Sequence, residues 1–157
     1  MTRSASAAAI RAVPLATLVA GTLDIGAAIV TNPQVTAQVV LQSVAAGWLG
    51  PATYRGGWPT AWLGLASHFG VMLGIAAVFV FAATRLPALR RLWFPAGVAY
   101  GVAVWLAMTY VVVPLSASTL PPPDLTAALK GLAIHMLCVG LPIAGITRRV
   151  LGAPAAA

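Results

Sequence analysis

Acidic side chains are almost missing from this chain: its 157 residues hold two aspartates, Asp24 and Asp124, and no glutamate. Charged residues of both signs make up only 7%, against 61% hydrophobic residues, and the mean hydropathy is +0.95. Too little polar surface is left to coat a water-soluble globule of this size, so the composition defines an integral membrane protein. Cysteine is scarce as well. Cys138 stands alone in the middle of an apolar run, which excludes an intramolecular disulfide and reads as a small packing residue. Gly-rich phosphate loops, H-E-x-x-H helices and nucleophile elbows are also lacking. Neither an enzyme nor a bound cofactor or metal is therefore expected.

The basic residues that are present give a formal charge of +7. In a soluble protein such an excess would suggest nucleic acid, but here its placement follows the membrane. Arg3, Arg11, Arg85, Arg90, Arg91, Arg148 and Arg149 fall in three clusters between or beyond the apolar runs, whereas Arg55 and Lys130 stand alone on the alternate connections. That asymmetry matches the positive-inside rule and predicts cytoplasmic N and C termini. The partner it implies is the lipid bilayer, and nucleic acid is not expected.

Hydropathy predicts four spans, over about 12–31, 59–82, 93–114 and 126–147, each near the ~20 residues that cross a bilayer core. The fold class expected is all-α, a transmembrane four-helix bundle forming a single domain over residues 1–157. Arg3 and Arg11 ahead of an apolar stretch resemble a secretory signal, but the run continues past Ala20 to Val30 and favours an uncleaved first span. Trp58 and Trp62 at one end of the second span, and Trp93 and Phe94 at the start of the third, suit headgroup depths. Pro121-Pro122-Pro123 forms a stiff turn, after which Asp124 is placed to cap the fourth helix.

Between the first two spans, Gln34, Gln38 and Gln42 recur at every fourth position among apolar neighbours, which predicts a short helix lying at the outer interface. A re-entrant segment carrying the glutamines to a pore mouth is the alternative. Gly70-x-x-x-Gly74 and Gly97-x-x-x-Gly101 mark close helix packing, expected within the chain before dimerisation.

An acid inside a span is costly and calls for a partner. Asp24 shares its helical face with Thr17, Ala20, Gly21, Ala27 and Ala28, so it is expected to point into the bundle. His68 and His135, the only histidines, lie about ten residues into the second and fourth spans, near mid-membrane at ~1.5 Å per residue. Tyr110 approaches from the other side. Gly64-Leu65-Ala66-Ser67-His68 and Gly131-Leu132-Ala133-Ile134-His135 read alike, a faint trace of a duplicated hairpin that would set the imidazoles facing each other across the bundle. Three roles remain open for Asp24, His68, His135 and Tyr110: a structural hydrogen-bonded set, a proton or small-cation path, and ligation of a haem by the two imidazoles or of a metal, for which the His135 and Cys138 pair supplies too few ligands. Ser67 faces away from His68 and forms no catalytic pair.

From Trp62 onward the chain resembles the YagU-like family of small bacterial multi-pass inner-membrane proteins. The carrying residues are Ser67-His68, Arg85-Leu86-Pro87, Leu92-Trp93, Val113-Pro114-Leu115-Ser116, Ile134-His135 and Ile146-Thr147-Arg148-Arg149, over about two thirds of the chain. The resemblance implies a bacterial inner-membrane location and a loose link to acid tolerance, with no established reaction. It does not extend to Asp24. The function these features point to is proton or small-cation translocation, or pH and membrane homeostasis. A structural or partner-binding membrane subunit, as a homo-oligomer or with another membrane protein, is the alternative, and a bis-histidine haem subunit the more remote one.

Topology can be tested directly. Cysteines introduced one at a time should be labelled from the cytoplasm at residues 85–91, and from outside at residues 51–58 and 119–124. Outside labelling at Arg90 would overturn the four-span arrangement.

Overall fold

Alanine-rich and leucine-rich stretches, with very little interior charge, fold into helices because every backbone donor then finds its acceptor within the same segment. The computed structural model describes residues 3–152. The side chain of Arg3 and residues 153–157, which belong to the topology expectation, lie outside what is described. Helices α1 (Arg3–Val30), α2 (Ala37–Leu49), α3 (Gly57–Arg85) and α4 (Pro87–Arg91) are followed by α5 (Trp93–Leu115) and α6 (Leu125–Leu151). No strand occurs among the described residues. Helices α1, α3, α5 and α6 are long and apolar enough to cross a bilayer, so the expected all-α four-helix membrane bundle is what forms.

Helix α1 packs against both α3 and α6, and α6 packs against α5. Small residues make these contacts close. Ala9, Ala12, Ala16 and Ala20 on α1 are each fully buried. The central core joins Ala16 and Ala20 to Met72, Ala76 and Phe79 of α3, Val104 of α5, and Val139, Ile143 and Ala144 of α6. Tyr100 donates from its hydroxyl to the Ile75 carbonyl at 2.7 Å and lays its ring on Phe79, with centroids 5.0 Å apart, so α5 leans on α3 as well.

The two glycine motifs behave differently. A Cβ on Gly101 would lie 2.6 Å from Met136 Cα, and one on Gly97 3.0 Å from the Gly140 carbonyl oxygen. This motif therefore seats α6 directly on the α5 backbone. Gly70 and Gly74 have open space where a side chain would go and face outward from the bundle. The expectation of internal packing holds for Gly97 and Gly101 and fails for Gly70 and Gly74, because α3 turns Gly64, His68, Met72 and Ala76 inward instead.

Proline shapes the two C-terminal spans. Met108–Val112 and His135–Gly140 are wider π turns, and each stops two residues before a proline, Pro114 or Pro142. A proline lacks the N–H and crowds the carbonyl four residues back, so the helix widens just ahead of it. Helix ends are closed by polar ties. The Asp124 carboxylate accepts from Ala127 N–H at 2.8 Å, the expected N-cap. Lys130 donates to Asn32 Oδ1 at 2.9 Å and to the Thr31 carbonyl at 3.1 Å, fastening α6 to the end of α1. Arg90 donates to the Leu151 and Gly152 carbonyls, closing the other end of α6.

Helix α2 is present where the glutamine spacing places it, but only Gln38 and Gln42 of the three glutamines are on it. Gln34 precedes the helix, and Gln42 is 1% exposed. The Gln42 amide donates to the carbonyls of Thr53 and Gly57 and to Thr60 Oγ1, so it pins the following turn rather than lining a pore mouth. That turn, Gly50–Arg55, reverses the chain into α3 between Gly50 and Gly57, both at φ +59°, a conformation that favours glycine. Helix α2 then lies along α3, with the Leu41 carbonyl against Gly64 and Trp48 Nε1 donating to Ser67 Oγ at 3.0 Å. Ser67 is ten residues, or ~15 Å, along α3 from Gly57.

The glycine contrast gives a stability test. Gly101→Ala should destabilise the folded protein by about 1–3 kcal/mol, since backbone must move to admit the methyl group. Gly74→Ala should stay within about 0.5 kcal/mol of wild type. Thermal unfolding in a mild detergent reads both, and equal effects would contradict the packing described for α5 and α6.

Candidate functional site

Most polar side chains inside the spans satisfy themselves. Thr17 donates to the Val13 carbonyl, Ser67 to Leu63 and Thr147 to Ile143, each four residues back on its own helix. A hydroxyl bonded this way spends its hydrogen within its own helix. His135 belongs to the same group. Its Nδ1 lies 2.9 Å from the Gly131 carbonyl, again four residues back, and because a carbonyl only accepts, Nδ1 carries the hydrogen.

His68 differs, because its ring crosses between helices. It is 7% exposed, and its Nε2 lies 2.9 Å from the Gly21 carbonyl of α1. Nε2 must therefore carry a hydrogen, which directs Nδ1 toward whatever lies on its other side. That neighbour is Asp24, with Oδ2 4.0 Å from Nδ1. Gly21 serves the contact twice: its carbonyl takes the imidazole, and its missing side chain leaves room for Phe69, whose ring would lie 2.7 Å from a Cβ there. Phe69 also meets the His68 ring edge-on, with centroids 5.3 Å apart, and holds it in place.

The carboxylate is less well provided for. The Asp24 side chain is 16% exposed, and among the described residues no donor lies within hydrogen-bonding distance of it. At 4.0 Å the imidazole is at the outer limit of an ion pair. With Nε2–H committed to Gly21, two arrangements leave the pair neutral: an imidazolium facing a carboxylate, or a bare Nδ1 facing a protonated acid. The arrangement sets an imidazole of α3 beside a carboxylate of α1. Cys138 lies on the π turn of α6, which packs on α1.

Of the four residues singled out in the sequence, the structure thus brings together Asp24 and His68. No hydrogen bond or ion pair among the described residues joins His135 or Tyr110 to them. Tyr110 is 60% exposed, its ring standing edge-on to Trp105 at 5.8 Å. The inward face of α5 is the one carrying Gly97, Gly101 and Val104, and Tyr110 lies off that face with Ala103 and Ala107. The two similar pentapeptides also occupy unlike positions: Gly64 receives the α2 backbone, whereas Gly131 receives the Trp105 indole.

Sequence reading missed two clefts. One, of about 590 Å³, opens between α2, α3 and the far end of α5 beside Trp48, Ser67 and Ser116. The other, of about 410 Å³, lies at the arginine-rich end between α1, α5 and α6. Neither leaves a local sequence signal, because each is bounded by residues distant in the chain. Among known proteins, no family model, curated relative or solved structure matches this chain.

The contrast between the histidines can be measured. His68→Ala removes an interhelical hydrogen bond and should cost about 0.5–2 kcal/mol of stability. His135→Ala removes a bond within one helix and should cost less. Unfolding of both variants under identical detergent conditions checks the order, and a larger loss in His135→Ala would show the site misassigned.

Proposed function

We propose that this is a multi-pass protein of the bacterial inner membrane, with both termini cytoplasmic, in which the Asp24–His68 pair takes up and releases a proton in the service of pH or membrane homeostasis. The observation that carries the reading is the crossed engagement of His68, with Nε2 fixed on Gly21 and Nδ1 turned to a carboxylate that has no other donor among the described residues. Imidazole changes charge near neutral pH, and the ring touches both α1 and α3, so a change in protonation alters the contact between two spans. The same pair is the natural first station if protons or small cations are carried across. The YagU-like resemblance, with its link to acid tolerance, agrees with a proton-linked role. The reading is non-enzymatic and calls for no cofactor.

A structural or partner-binding subunit is the second reading, favoured by the outward-facing Gly70 and Gly74, which leave α3 open to close approach by another helix. Asp24→Asn separates the two. It keeps size and hydrogen-bonding capacity but removes the ionisable group, so acid survival and pH-dependent proton flux should fall at matched membrane levels. Equal survival and equal flux in wild type and Asp24→Asn would remove the proton-linked reading and leave the structural one.

A further inference from the structure

The cleft at the arginine-rich end combines a charged mouth with an apolar depth. Trp93, at the start of α5, and Arg148 and Arg149, in the last turn of α6, form the mouth. The Arg148 guanidinium sits 5.8 Å from the centre of the Trp93 ring, a cation–π contact that holds one charge at the rim. Val19 of α1 and Pro142 of α6 form the depth. Pro142 lies nine residues before Leu151, or ~13 Å further into the membrane along α6. Gly145 on α6 presents no side chain between them, which keeps the cleft continuous from mouth to depth. Its volume of about 410 Å³ is within the range of ligand sites.

Charge selects the occupant. The chain has only two acidic side chains, and neither neutralises the mouth: Asp24 is five residues beyond Val19 on α1, and Asp124 caps the opposite end of α6. Two arginines without an acid suit a phosphate that carries a net negative charge, and they disfavour the cationic headgroup of a zwitterionic lipid. An apolar channel leading from that phosphate position into the hydrocarbon layer suits an acyl chain. We infer that this cleft is a binding site for an anionic glycerophospholipid of the arginine-side leaflet, its phosphate on Arg148 and Arg149 and one acyl chain between Val19 and Pro142.

Full-length protein in a neutral detergent, given phosphatidylglycerol or phosphatidylcholine and analysed by native mass spectrometry, tests the inference. Wild type should retain phosphatidylglycerol in preference to phosphatidylcholine. Arg148→Gln and Arg149→Gln should each weaken retention about fivefold, while Arg91→Gln, at the same end but outside the cleft, should leave it unchanged. Val19→Phe alters no charge but fills the depth, and should also reduce retention. Ile146→Phe, on the cleft wall, serves the same purpose if Val19→Phe does not fold. Excess inorganic phosphate should not displace the lipid. Four outcomes would overturn the site: equal retention of the two lipids, an Arg91→Gln loss matching Arg148→Gln, displacement by inorganic phosphate, or a dimer lost in Val19→Phe while lipid retention stays the same.

Discussion

Two apolar helices in a bilayer gain nothing by hiding from water, because neither was in water, and lipid tails are as good a neighbour as leucine. What holds such helices together is close backbone approach and the few polar groups that reach across. This chain follows that constraint throughout. Buried alanines every three or four residues line α1, and Gly97, Gly101 and Gly140 bring the α5 and α6 backbones into direct contact. The large side chains turn outward: Leu18, Trp62, Phe81 and Leu137 are all more than a third exposed.

Against that background the interhelical polar contacts are few, and each has a separate position. Tyr100 ties α5 to α3, Lys130 ties α6 to the end of α1, and Arg90 closes the opposite end of α6. His68 ties α3 to α1 in the interior, with Asp24 beside it. It is the one of these four that sets an imidazole beside a carboxylate.

Asp24 was legible from composition alone, since an acid in an apolar run draws attention wherever it occurs. Its small-residue neighbours Thr17, Ala20 and Gly21 also indicated which way the helix faces, and the structure has all three buried. His68 and His135 were indistinguishable in sequence, each preceded by a similar pentapeptide at a similar depth. What separates them is the identity of the nearest carbonyl, Gly21 on another helix in one case and Gly131 on the same helix in the other. Local sequence does not encode that difference. Gly70 and Gly74 misled for the same reason, because a spacing rule marks a smooth face without saying which helix meets it.

The sequence by itself determined the solvent, the number of spans and the caps, because hydropathy, helix length and capping are properties of contiguous residues acting on a bilayer. Asp124 capped the helix that follows it, and Pro114 and Pro142 disturbed the helices that contain them. Tertiary structure alone decided that Gln42 is buried as a turn clamp, that Tyr110 stands outside the polar set, and that Trp93 and Arg148 share the mouth of a cleft. Each of these depends on which faces of α1, α3, α5 and α6 are brought together. Close packing of small residues settles that choice, and such packing is a property of pairs of helices far apart in the chain.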